Sequence, residues 1–263
     1  MAQEENKSNT GKVLFKVIGT LIGLFLIYYC IMSVMAPARK LAELKSEYAP
    51  KSSAAADEKF YSDSAFVSLV KQKAFFQSRV AMAGTDSIYM TLNLADSTAN
   101  LEISGVTVHS AKITRFRMSS IFRQGNNPVI LSLLSSPLNI ESDISTIKKE
   151  PLMIKMAPKD TSEYKPDIAP DTTDLEPVNY IFAMDNGIEL YIYQDPDTTK
   201  GDQRQFFFFD LNDRMKNTMQ SLKSVARFRV PDYHPFIKIR MAKADAKIFY
   251  RALPRKGQVA VFL

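Results

Sequence analysis

The sequence predicts a mainly β domain of the α+β class, with a few helices, carried on one N-terminal apolar helix. Three observations predict it. Residues 17–35 (VIGTLIGLFLIYYCIMSVM) run for 19 residues without a charge, close to the ~20 that cross a bilayer as a helix. Beyond them, short runs rich in Val, Ile, Thr, Phe and Tyr alternate with Gly, Asn, Asp and Pro. That is the pattern of strands joined by turns. Two stretches, near residues 66–80 and 211–226, instead space their apolar residues three and four apart, which is the helical period.

Composition bounds the function. A chain of 263 residues that is 46% hydrophobic has the material for one ordinary core plus tails. The net charge is +6. Lys7, Lys12 and Lys16 against Glu4 and Glu5 account for only one unit of it, so the basic balance belongs to the domain. It favours anionic partners such as nucleic acid, anionic lipid or cell-wall polymer. No dense Lys/Arg run of the kind nucleic-acid arms carry is present, and no nucleic-acid partner is expected. The single cysteine, Cys30, lies in the apolar stretch. This excludes a disulfide, a thiolate metal site and a cysteine nucleophile in the domain. His109 and His234 are too few for a histidine-rich metal site. No metal or other cofactor is expected.

The elements follow in order. Residues 1–16 are a short tail and 17–35 a transmembrane helix. Lys7, Lys12 and Lys16 before the helix and Arg39, Lys40 and Lys45 after it nearly balance, so charge orients it poorly. A short N-terminal tail with a long C-terminal domain is most simply a signal anchor with the domain exported. The alternative is a cleaved signal peptide, because Ala36-Pro37-Ala38 satisfies the small-x-small cleavage pattern. The apolar run exceeds the ~7–15 residues of a signal core, which favours a retained anchor. Residues 36–57, small, polar and charged, read as a stalk. Residues 58–84 carry a helix leading into the domain, capped by Ser62 or Ser64 and stopped at Gly84. Phe66, Leu69, Val70, Lys73, Phe76 and Val80 fall at its apolar spacing.

The domain proper is expected over 86–263. Its opening stretch, SIYMTLNLADSTANLEISGVTVHSAKIT, is a β-meander with Ile88, Met90, Leu92 and Leu94 on one face. His109 falls in its third strand and reads as an ordinary strand residue. Residues 119–150 are mixed, with a turn at Gly125-Asn126-Asn127-Pro128. Residues 156–177 hold four prolines among Asp and Thr, a long irregular loop. Asp185-Asn186-Gly187 signals a hairpin. Phe206 to Phe209 read as a strand buried on both faces. Asp210 then caps a helix from Leu211 to about Arg227, with Leu211, Met215, Met219, Leu222 and Ala226 as its stripe. Residues 233–263 read as strand, helix, turn, strand.

That last segment carries a resemblance. Ile239-Arg240-Met241, Asp245-Ala246, Tyr250, Leu253-Pro254, Gly257 and Val259 resemble the C-terminal segment of the L,D-transpeptidase (YkuD-like) catalytic domain. The meander resembles the opening strands of that family. EPVNYIFAMDNGIELYI resembles the segment preceding its upstream histidine. The resemblance implies a β-sandwich over about 86–263 with a cleft for cell-wall peptides. It also implies that the chemistry is lost. The family's Ser-His-Gly-Cys motif falls on Pro235, Phe236, Ile237 and Lys238, and its upstream histidine near Tyr191. The reaction needs a thiolate, a base and an oxyanion hole. The degenerate cleft would then be lined by Tyr191, His234, Phe236, Lys238 and Arg240, with no catalytic residue.

Two non-enzymatic functions follow. One is a membrane-anchored, catalytically inactive transpeptidase-like domain of the bacterial envelope, held in the inner membrane with its domain in the periplasm. It would bind peptidoglycan or a protein partner. The alternative is a structural or assembly subunit of an envelope complex with no peptidoglycan contact. Gly19 and Gly23 give the anchor a Gly-x-x-x-Gly spacing suited to helix packing. For an enzyme of another kind, the sequence offers no Gly-x-Ser-x-Gly, phosphate-loop or His-Glu-x-x-His motif. Asp185 and Glu189 would serve as an acid–base pair only if the fold set them together in a cleft.

Overall fold

A computed structural model describes residues 4–48, 63–123, 127–149, 177–195 and 200–263. They fall into two compact units. One comprises Met1–Glu47 with Asn212–Tyr233, the other Tyr48–Leu211 with His234–Leu263.

The larger unit is a closed barrel of eight strands, not the expected sandwich. The strands are β1 (Tyr89–Asn93), β2 (Thr98–Ile103), β3 (Val106–Met118), β4 (Leu138–Ser145), β5 (Asn179–Met184), β6 (Glu189–Gln194), β7 (Phe236–Met241) and β8 (Gln258–Phe262). Their order around the barrel is β1-β2-β3-β7-β6-β5-β4-β8, closing back on β1. The meander forms as expected, with β1–β2 and β2–β3 antiparallel. The hairpin at Asp185-Asn186-Gly187 joins β5 to β6, Gly187 taking φ +77°. Closure depends on two parallel pairings, β1 with β8 and β6 with β7. Closing the sheet on itself leaves no exposed edge.

Side-chain alternation fills the barrel. Met90, Leu92, Leu101, Phe182, Leu190, Ile192, Ile237, Ile239, Val259 and Val261 are all buried. Helix α2 (Ser64–Ala83) packs on the outside, against β8 and against α4 (Pro128–Leu134). Its cap is Asp63, whose carboxylate accepts from the Ala65 N–H at 2.9 Å, not Ser62 or Ser64. Gly84 ends it as expected. The face α2 buries carries Val67, Ala74, Ser78 and Met82. Leu69, Phe76 and Val80 of the expected stripe point to solvent instead. A four-residue helix, α3 (Ser120–Arg123), precedes α4, whose N-terminus is capped by Asn127 with Pro128 in its first turn. Helix α6 (Lys243–Ala252) buries Ala246, Phe249 and Tyr250, and the Tyr180 hydroxyl donates to its Ala246 carbonyl at 3.1 Å.

Two expectations at residues 200–227 are corrected. Phe206–Phe209 are not a strand, and Asp210 does not start a helix. Both lie within one 27-residue helix, α5 (Lys200–Ala226). Neither Gly nor Pro breaks the sequence between 202 and 230, so the helix formers on either side carry the aromatic run along. Phe206 and Phe209 face the barrel, while Phe207 and Phe208 are 59% and 53% exposed. The helix passes from the barrel unit into the smaller unit at Asn212.

The smaller unit holds α1 (Glu4–Tyr48) and the end of α5. The described part of the expected stalk is helical. Residues 36–48 continue α1, with Pro37 inside it, because Ala, Arg, Lys, Leu and Glu dominate that stretch. Lys40 and Glu43 pair one turn apart at 3.1 Å. α1 is long and apolar enough to cross a membrane, and none of its most apolar window is buried. Most of the expected loop at 156–177, and residues 49–57 of the expected stalk, lie outside the described residues.

Candidate functional site

The parallel register of β6 and β7 sets Tyr191 beside Lys238 and Tyr193 beside Arg240. Since alternate residues share a face, Phe236, Lys238 and Arg240 lie on the outer face with Tyr191 and Tyr193. Ile237 and Ile239 point inward and are buried. Ile181 of β5 completes an outer aromatic cluster onto which α5 lays Phe206 and Phe209.

Lys238 is the centre of this face. Its ammonium stands 4.0 Å from the Tyr191 ring centroid, 5.4 Å from Phe236 and 5.8 Å from Tyr193. It donates to the Asp210 carboxylate of α5 at 3.2 Å and approaches the Tyr193 hydroxyl at 3.5 Å. The Tyr193 hydroxyl donates to the same carboxylate oxygen at 3.1 Å. Next in register, the Arg240 guanidinium sits 5.0 Å over the Phe206 ring. A cation over an aromatic face is worth ~0.5–2 kcal/mol, more as water is excluded. Tyr191 does not aim its hydroxyl at Lys238 but donates to Glu189 at 2.6 Å.

Four of the five residues singled out from the sequence, Tyr191, Phe236, Lys238 and Arg240, therefore share one face. His234 does not join them in any recorded bond. It is exposed at the strand entrance, its Nδ1 3.2 Å from the Gly187 carbonyl. Asp210, Tyr193 and Phe206 complete the face and were not anticipated as site residues. The run Phe206-Phe207-Phe208-Phe209-Asp210 signalled them only if read at helical period, where Phe206, Phe209 and Asp210 share a side. Asp185 and Glu189 have separate partners. Asp185 accepts from Asn139 at 2.8 Å and Glu189 from Tyr191.

A second polar cluster lies where α6 meets the barrel. The Tyr250 hydroxyl donates to Asp143 at 2.6 Å. Burial, reinforced by that bond, pushes the Tyr250 phenol up to about 12. Burial raises Tyr180 well above its ordinary value, and the Tyr250 phenol adds to this. Lys149 sets its ammonium 5.0 Å over the Tyr250 ring, and burial lowers its pKa despite the opposing pull of Asp143. On the third meander strand, His109 Nε2 is 3.0 Å from Asp245 Oδ1, the satisfied strand role expected of it. Among the described residues, no group of three His, Cys, Asp or Glu side chains is placed to hold a metal ion.

Comparison of the chain with protein-family models, with curated proteins and with solved structures gives no match.

Proposed function

We propose that the chain is a single-pass membrane protein of the bacterial envelope with a non-enzymatic assembly role. In this reading its barrel is a degenerate L,D-transpeptidase-like domain in the periplasm. One observation carries it, the Lys238–Asp210 pair. At the position the resemblance assigns to the nucleophile, a lysine grips the chain's own helix. The side chains of Lys238 and Asp210 are only 22% and 15% exposed. A face closed in this way serves as a docking surface for α5. A cell-wall peptide would reach it only by displacing Phe206, Phe209 and Asp210. That favours a protein partner engaged elsewhere over peptidoglycan bound in the old cleft.

The test is cosedimentation of the detergent-solubilised full chain with isolated peptidoglycan sacculi at low and high salt. Binding that salt abolishes, or no binding, fits the assembly reading, since a basic protein meets an anionic polymer nonspecifically. Binding that survives high salt and is lost in Lys238→Met would restore the peptidoglycan-binding reading.

A further inference from the structure

The end of α5 is built in an unusual way. The Arg229 N–H donates to the Ser224 carbonyl at 3.0 Å and the Phe228 N–H to Val225 at 2.9 Å. These are the two bonds of a Schellman cap, in which the residue here occupied by Phe228 is normally glycine. Phe228 adopts φ +58°, a conformation costing an ordinary L-residue ~1–2 kcal/mol. It is also 82% exposed. A strained aromatic side chain that gains so little packing within the chain points to a use outside it.

Within the same unit, α1 says where Phe228 lies. Its ring centroid is 5.9 Å from that of Tyr28. Arg39 reaches the Val230 carbonyl at 3.4 Å. Tyr28 precedes Met35, the end of the uncharged stretch, by seven residues, or ~10 Å along a helix. Arg39 stands four residues beyond Met35, ~6 Å to the other side. If 17–35 spans a bilayer, Phe228 is below the hydrocarbon boundary and Val230 is near the headgroups. Arg227 and Arg229 flank Phe228, and Lys223 lies one turn before it, all exposed. Their long side chains can keep their charges among phosphates while the aromatic ring enters the acyl region.

We infer that the Arg227-Phe228-Arg229 tip is a second membrane contact, inserting beside α1 into a leaflet that contains anionic lipid. This rests on the reading of α1 as a retained anchor.

The experiment uses the full chain in vesicles of phosphatidylcholine and phosphatidylglycerol, labelled with an environment-sensitive fluorophore at one cysteine at a time. Native Cys30 reports the anchor. Phe228→Cys and Val230→Cys, each with Cys30→Ser, report the tip, the second keeping the phenylalanine. Lipids with nitroxides at shallow or deep acyl positions act as quenchers, with iodide as the aqueous one. The expected result is nitroxide quenching at 30 and at 228 to a similar depth, since Phe228 lies against Tyr28, and loss of iodide quenching at 228 when vesicles replace detergent. In the variant labelled at 230, Phe228→Ser should restore iodide access. Quenching at 30 with 228 still open to iodide would overturn the tip and leave the anchor standing. Shielding at 228 from both iodide and nitroxides would mean a protein contact and also overturns it. No nitroxide quenching at 30 would remove the anchor reading, and the tip with it.

Discussion

The Lys238 ammonium lies 3.2 Å from the Asp210 carboxylate, joining strand β7 to helix α5 across a shell of aromatic rings. Removing Asp210 leaves the Lys238 ammonium among the rings of Tyr191, Tyr193 and Phe236 without that carboxylate, and removing Lys238 takes one cation from the Asp210 carboxylate. Asp210→Asn and Lys238→Met should each cost about 2 kcal/mol of stability, below the ~3–5 kcal/mol of a fully buried pair. The Asp210→Leu/Lys238→Met double variant should recover part of that loss, because no lone charge remains. Denaturant titration of the four proteins in detergent gives the coupling directly. Additive losses would mean that the pair does not hold α5 to the barrel.

A deeper ion pair fixes α2. Glu102, on β2, is 1% exposed; it accepts from Arg79 at 2.7 Å and from Thr91 at 3.0 Å. Arg79→Leu strands a buried carboxylate and should destabilise the barrel by about 3 kcal/mol. Glu102→Gln, which keeps an acceptor for Thr91, should cost less. Thermal unfolding of the two variants checks the order, and a milder loss for Arg79→Leu would contradict it.

Two glycines should respond in opposite directions. Gly187 sits in the β5–β6 turn at φ +77°, so Gly187→Ala should cost ~1–2 kcal/mol. Gly84 closes α2 at φ −72°, and an added Cβ would find its nearest neighbour at 3.7 Å. Gly84→Ala should therefore be neutral or stabilise by up to ~1 kcal/mol through the unfolded chain. Denaturation midpoints of both variants against the parent decide it.

What the sequence made legible was local. Alternation at Met90, Leu92 and Leu94, the Asp185-Asn186-Gly187 turn, and the strand–helix–strand ending at Leu263 each depend on neighbours in the chain, and each appears in the fold. Closure of the barrel does not. Met90 pairs with Val259 and Leu190 with Ile237, and no local pattern announces partners so distant in sequence. Tyr191, Phe236, Lys238 and Arg240 share a face because β6 and β7 pair in parallel, a register that local pattern does not supply. Asp210 was missed because four consecutive phenylalanines were weighed by strand propensity. At helical period the same run gives an inward pair and an outward pair, and only the surface of β6 and β7 selects which.

The tyrosines set the alkaline limit of stability. Burial and the bond to Asp143 hold the Tyr250 phenol at about 12 against an ordinary 10.0. Burial also raises Tyr180 and Tyr89, the latter with help from the Glu102 carboxylate. A phenol with a raised folded-state pKa keeps its proton where the unfolded chain has lost it. Its stabilising contribution is complete below pH ~10 and declines as pH rises from there through the folded value. Absorbance titration of tyrosinate should therefore show a late wave, to which Tyr89, Tyr180 and Tyr250 contribute, that coincides with unfolding. Tyr250→Phe should shrink that late wave by one phenol. It should also flatten the fall of stability between pH 10 and 12, the window set by the ordinary and folded values. At neutral pH it should still cost ~1 kcal/mol through the lost bond to Asp143. A late wave of unchanged amplitude in Tyr250→Phe would show that this phenol titrates normally and that the Asp143 bond is not maintained in solution.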